Sequence, residues 1–355
     1  MANGPVLVEV LRGDAVESAH SGAVAVVDAR GTLRLAIGDV DRPVFPRSAV
    51  KVLQALPLVA GGAADRLGLD DAELALACAS HNGEPAHAAT AAAMLAKAGV
   101  GVDALECGTH WPMHEASARA LAAAGAVPDA RHNNCSGKHA GFVCVACLLA
   151  AGGAPGRPDG DAVRRRAAGY VRPDHPVMRE VAAALQAATG VDPARAPVGT
   201  DGCSIPTWAL PLRALALAFA RVGTGQGLDA DRARAVQRLR RAVAAAPFMV
   251  AGSGRFDTRL MEALGERVFC KVGAEGVYTA ALPELGLGVA VKVDDGQARA
   301  AEVVMATLVG ALLPLDAPAR AVVDGLAAPV LRNWNGLEVG RLRAAAPLRS
   351  ALAPG

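Results

Sequence analysis

Strand-like runs occupy both ends of this chain, and almost none lie between them. VLVEVLRG, AVAVVDARG and LRLAIGD fall within the first forty residues, with Asp28–Gly31 as a turn between the last two. RVFCKVG, GVYTAALP and GVAVKVDDG bring the same β-branched character back after residue 266. From about 60 to 245 the pattern is helical, with Ala-rich stretches at 72–79, 86–98, 115–124, 140–151, 177–188 and 230–245. Gly- and Pro-rich loops at 152–160 and 190–206 separate them. Arg47 to Val59 reads as a helix opening at Ser48 and closing before Gly61, and a last helix runs from about Arg299 to Leu313. This order predicts an α+β domain built from both ends of the chain, residues 1–59 with 246–355. A mainly helical domain, 60–245, is inserted between them.

At 355 residues the chain can bury a sizeable core. Hydrophobic residues make up 52% but aromatics only 3%, so that core is built from small side chains on closely packed elements. A formal net charge of +2 leaves no basic stripe for nucleic acid. The Arg-rich stretch RVGTGQGLDADRARAVQRLRRAV interleaves its charges with apolar residues at helical spacing and reads as a solvated helix face. No apolar run long enough to cross a bilayer is free of charges or helix breakers. MANGPVLVEVLRGD has neither the basic nor the apolar segment of an export signal. Seven scattered cysteines do not suggest a disulfide framework. The expectation is a reduced, cytoplasmic protein with no nucleic-acid or membrane partner.

Positive charge is supplied unevenly. Lysine occurs five times, at Lys51, Lys97, Lys138, Lys271 and Lys292, against thirty-one arginines. Arg stays protonated in proteins, whereas a desolvated Lys can lose its proton and act as a base or ligand. Where this chain keeps Lys, the chemistry of an amine is the reason to look. Lys51, Lys138 and Lys271 stand inside compact polar motifs; Lys97 ends an Ala-rich helix and Lys292 precedes Asp294 and Asp295, both surface readings.

In FPRSAVK, Ser48 and Lys51 are three apart, which on a helix puts both on one face. A neutral Lys there can take the proton from the Ser hydroxyl, otherwise a weak nucleophile. Ser80-His81-Asn82 follows in a loop, and Lys271-Val272-Gly273 on a strand. The order is similar to that of serine acyl-transfer enzymes of the penicillin-recognising type, with Val in place of Thr in the last triplet. In HNNCSGKHAGF, Cys135, Lys138 and His139 share a face if the segment is helical, and Cys203 lies beside Asp201 in DGCSIP. Two thiolates and a nitrogen form a soft zinc set, while a buried Cys135 with Lys138 pairing Asp201 is the metal-free alternative that the residues alone favour. Cys144 and Cys147 sit in an apolar helical run and read as core. His110, Trp111 and His114 make a polar loop, and Gly252, Ser253 and Gly254 a nest able to present N–H groups to an anion.

Together FPRSAVK, SHNGEP, HNNCSGKHAGF, DGCSIP, AGSGRFDT and KVGAEGVY resemble the asparaginase II family, the rhizobial-type (class 3) L-asparaginases, over nearly the whole chain. The resemblance implies a serine β-lactamase/glutaminase-like fold, an antiparallel sheet flanked by helices with an inserted mainly helical domain, assembled as a homodimer. It implies Ser48 as nucleophile with Lys51 as base, Ser80 and Lys271 completing two Ser–Lys pairs, and zinc held by Cys135, Lys138 and Cys203 with Asp201 nearby. Arg47, His81, Asn82, Asp201 and Gly254 are the expected substrate contacts. The implied reaction is hydrolysis of L-asparagine to L-aspartate and ammonia. A glutaminase or penicillin-recognising acylase with the same Ser-x-x-Lys machinery is the alternative, as is a zinc-containing binding protein without catalysis.

Overall fold

The computed structural model describes residues 4–154, 156 and 158–353. It divides into two compact units. The sheet unit comprises Met1–Ala49, Ala209–Thr224 and Arg259–Gly355; the helical unit comprises Val50–Trp208 and Gly225–Thr258. The sequence pattern places the boundaries at 59/60 and 245/246, with 209–224 in the helical segment.

The sheet unit is built on β1 (Val6–Arg12), β2 (Ala15–Asp28), β3 (Leu33–Ile37), β4 (Phe269–Val272), β5 (Val277–Leu282), β6 (Leu287–Val293), β7 (Val330–Arg332) and β8 (Glu338–Ala344). Their order is β7-β8-β1-β2-β6-β5-β4, with β3 also on β2, and every pairing is antiparallel. The fourteen-residue β2 serves two partners in turn: its first half pairs with β1, and its second lies between β3 and β6, with Val24 opposite both Ile37 and Val291. All six residues of β5 and the Val289–Val291 run of β6 are buried. A strand without a solvent face needs cover on both sides, which the helices Leu212–Thr224 and Ala298–Leu312 supply by packing on β5 and β6. At Gly288 a Cβ would stand 1.9 Å from the Ala216 carbonyl oxygen, so only glycine admits the first of these helices so closely. That contact explains why Leu212–Thr224 belongs with the sheet despite its place in the sequence.

The helical unit is organised around Ser136–Ala151, buried continuously from Ser136 to Cys147. A helix buried on every side is a core helix. Pro85–Ala98, Asp71–Ala77 and Gly160–Ala167 pack on it. Gly137 permits the closest approach, since a Cβ there would lie 2.3 Å from the Leu76 carbonyl oxygen. Asp70 and Glu73 form a reciprocal capping box at the start of Asp71–Ala77, with bonds of 2.9 and 2.8 Å. Cys144 and Cys147 are core residues of the central helix, and burial pushes the Cys144 thiol up.

Two expectations differ in detail. The helix expected from Arg47 to Val59 is three pieces: a 3₁₀ turn at Arg47–Val50, then Lys51–Gln54 and Leu56–Ala60. Pro57 has no N–H to offer the preceding turn, which breaks the ladder at Ala55. The β7–β8 hairpin was not read from the sequence, although Asn333 to Gly336, with Gly336 at φ 79°, marks its turn. Among the described residues no helix is long and apolar enough to cross a membrane.

Candidate active site

In the sheet unit Ser48 is half-buried within the Arg47–Val50 turn. The turn closes through the Ala49 N–H on the Pro46 carbonyl at 3.0 Å. Arg47 adopts φ 50°, a left-handed conformation rare for a side chain of its size. Two contacts hold the turn against β4 and β5. A Cβ on Gly273 would lie 2.6 Å from the Pro46 oxygen, so glycine is required for the approach. Thr279, opposite Lys271 in the sheet, places its hydroxyl 3.1 Å from the Ala49 carbonyl and 3.3 Å from that of Lys271. One side chain thus ties the backbone beside Ser48 to the strand carrying Lys271. The Lys271 amine is fully buried and donates to the Val272 carbonyl at 2.9 Å.

In the helical unit a second set converges. Lys51, fully buried at the first position of its helix, donates to the Ala79 carbonyl at 2.5 Å and to the Cys135 sulfur at 3.0 Å. Ala79 immediately precedes Ser80, whose buried hydroxyl has no hydrogen-bond partner among the described residues. Cys135 ends the loop at the head of the central helix, and Lys138, one turn on, donates to the Cys203 sulfur at 2.9 Å. Cys203 in turn faces Asp201 Oδ2 at 3.8 Å. The Cys203 thiol shares its proton with Cys135, and with the Lys51 and Lys138 ammonium groups nearby this outweighs burial and drives the Cys135 thiol well below its ordinary value. Cys203 is pushed up correspondingly. Burial disfavours charge on Lys138, but both sulfurs and Asp201 reverse that and raise its pKa; burial prevails at Lys51, which is lowered.

Cys135, Lys138 and Cys203 therefore meet as two sulfurs and one amine, the soft donor set that zinc accepts. Among the described residues no group of three His, Cys, Asp or Glu side chains is placed to hold a metal; a metal on the two sulfurs would need Lys138 as a third donor. A metal on this set would displace the Cys203 proton and one from Lys138.

His81 and Asn82 are engaged within the protein. The Gly83 N–H donates to His81 Nδ1 at 3.0 Å, and His81 Nε2 meets Ser136 Oγ at 2.9 Å, while the ring stacks on His87. Burial, then the His87 and Lys51 charges, holds His81 neutral. Both nitrogens of His81 are used within the protein, and its side chain is fully buried. Asn82 donates to Glu84 Oε1 and to the Ser253 carbonyl, and accepts from Arg255 at 3.0 Å. The nest at Gly252–Gly254 presents the Ser253 N–H to an anion, but the anion is the protein's own Glu84, at 2.8 Å, with the Ser253 hydroxyl on its second oxygen. Gly254 itself is exposed at φ 71°. In the polar loop, His110 Nε2 accepts the Asn134 N–H at 2.9 Å, and His114 meets Ser117 at 2.8 Å. The sequence reading missed Thr279, Glu84 and Arg255. Only SHNGEP and AGSGRFDT carried a hint of the last two, as neighbours of the motifs it did name.

The L-asparaginase II family model matches residues 8–344. The chain belongs to that family. As an L-asparaginase II family member it is a hydrolase, and asparagine hydrolysis is the activity the family carries in general. No curated protein matches the sequence significantly. Solved structures give distant likenesses. A β-lactamase from Mycobacterium bovis is 16% identical, over 79% of this chain and 89% of that one, with a TM-score of 0.36. A protein named Mglu is 14% identical, over 79% of this chain and 64% of that one, with a TM-score of 0.33.

Proposed function

We propose that this protein hydrolyses L-asparagine to L-aspartate and ammonia through an acyl-enzyme on Ser48. The observation that supports it most is the burial of Lys51, Lys138 and Lys271, the three lysines of the family motifs, while Lys97 and Lys292 keep solvent contact. A buried amine is costly unless it is used. In this reading Ser48 Oγ attacks the side-chain amide carbon as its proton passes to Lys51 Nζ. The tetrahedral intermediate collapses when Ser80, relaying from Lys271, protonates the leaving nitrogen, and ammonia departs. The proton held by Lys51 then passes to Lys271, replacing the one Lys271 gave up; water attacks the ester, the neutral Lys51 taking its proton, and aspartate leaves as that proton returns to Ser48. Cys135, Lys138 and Cys203 would hold zinc, which when bound supplies a fixed positive charge at the substrate end of the pocket. Asp201 would keep the Cys203–Lys138 pair oriented. The reading includes a homodimer and a cytoplasmic location.

Ammonia release from asparagine and glutamine, measured side by side for wild type and Ser48→Ala, tests it. Asparagine is expected to be the better substrate and the variant to lose at least about a thousand-fold in kcat/KM. Full activity in Ser48→Ala would remove the nucleophile assignment, and a preference for glutamine the substrate assignment.

A further inference from the structure

Several arginines of the helical unit are paired with carboxylates, among them Arg131 with Asp129, Arg232 with Asp229 and Arg238 with Asp65. Arg255 is different. Among the described residues its side chain meets one acceptor, the neutral Asn82 Oδ1 at 3.0 Å, and no carboxylate within ion-pair distance. It is also half-buried, so its charge is partly withdrawn from water. A guanidinium in that position is poorly compensated and has spare N–H donors.

The surroundings fix where those donors are. Asn82 spends its two N–H groups on Glu84 Oε1 and the Ser253 carbonyl, which turns its oxygen toward Arg255. The loop beneath is laid tightly on that pair: at Gly252 (φ 106°) a Cβ would lie 2.4 Å from Glu84 Oε1. The segment before it runs alongside Ser80–Asn82, since Ser80 N–H donates to the Val250 carbonyl and Asn82 N–H to that of Ala251, both at 2.9 Å. Arg255 is therefore held on the same frame as the Ser80 hydroxyl, which is buried and has no partner among the described residues. Among the described residues, a guanidinium without an ion-pair partner and a hydroxyl without a hydrogen-bond partner on one frame describe a place for an anionic, hydrogen-bonding ligand.

We propose that Arg255 is a specificity-determining residue that binds the α-carboxylate of the substrate. The forked donors of a guanidinium match a carboxylate, and asparagine carries only one anionic group. Asn82 is then a positioning residue that presents the fork, and Glu84 with Ser253 positions Asn82. This inference rests on the asparaginase reading above.

The experiment compares wild type, Arg255→Gln and Arg255→Lys on L-asparagine and on 3-aminopropanamide, which keeps the amide and amine but lacks the α-carboxylate. Arg255→Gln is expected to raise KM for asparagine roughly 10–100-fold with kcat nearly unchanged, and to leave KM for 3-aminopropanamide as in wild type. Arg255→Lys should recover part of the loss, because it restores charge without the fork. Equal weakening toward both substrates, or no change toward either, would overturn the proposal, the first by exposing a merely structural role. If wild type releases no ammonia from asparagine, the asparaginase reading fails. Calorimetric titration of wild type and Arg255→Gln with L-aspartate and with 3-aminopropanoate then decides Arg255 separately: selective loss of aspartate affinity supports it, and identical affinities refute it.

Discussion

In the sheet unit Ser48 and Lys271 are placed by backbone fit: a turn laid on a glycine and fastened by the Thr279 hydroxyl. In the helical unit Lys51 and Lys138 are placed by polar partners, two sulfurs and a backbone carbonyl, at the head of a core helix. The first arrangement fails when an atom is added and the second when a charge is removed. The two halves should therefore respond to different substitutions, and that contrast can be broken or sharpened by experiment.

The largest effect is expected at Lys51. Lys51→Met keeps the volume and removes the amine, and should lower kcat/KM by at least about a thousand-fold. Its circular dichroism should stay native; a Lys51→Met or Lys51→Arg enzyme with undiminished turnover would show that the amine is not the base. Next is Gly273→Val, which adds atoms where a single Cβ would already be 2.6 Å from Pro46. We expect it to cost about 1–3 kcal/mol in chemical denaturation and to slow turnover roughly a hundred-fold by misplacing the Ser48 turn. Native activity in Gly273→Val would mean the turn has slack that the close contact denies.

Metal content separates the halves from the other side. Protein purified without chelator should carry near-stoichiometric zinc by elemental analysis, lost in Cys135→Ala and Cys203→Ala but kept in Gly273→Val. Zinc-free wild type would refute the metal assignment. The smallest effect is at Glu84. Burial works against its charge, but the Ser253 N–H and hydroxyl, the Asn82 amide and His114 outweigh it, so the carboxyl lies below its ordinary value. The stability this lends is present above the ordinary carboxyl pKa and is lost as pH falls through the lowered one. Glu84→Gln should thus melt lower than wild type at pH 7, by about 1–3 kcal/mol of stability, and the gap should close in acid. A gap independent of pH would assign Glu84 a packing role alone.

Local features were legible in the sequence. The central helix and its Cys135–Lys138 spacing follow from one continuous motif, and the strands at both ends carried their β-branched pattern openly. What escaped was long-range. Glu84 and Ser253 are 169 residues apart, and neither neighbourhood announces the other. Cys203 lies 65 residues from Lys138, to which it is hydrogen-bonded; the residues alone offered it with Cys135 as one of two alternatives, and only the family resemblance favoured the metal reading. Leu212–Thr224 has the same amphipathic signature as the helices before it, so its allegiance to β6 is decided by Gly288 rather than by its own residues. The β7–β8 hairpin, by contrast, was signalled by its Asn- and Gly-bearing turn and could have been found.

The burial of Lys51, Lys138 and Lys271 leaves this protein with few side-chain amines to offer solvent. Lys97 is occupied by Glu73 and Gly68, and Lys292 reaches the Glu275 carbonyl at 2.7 Å. An amine-reactive reagent therefore meets a surface whose cations are almost all guanidinium. Native protein should take up label sparingly, and the three site lysines should become reactive only as the chain opens. The same economy makes acylation stoichiometry a direct gauge of unfolding.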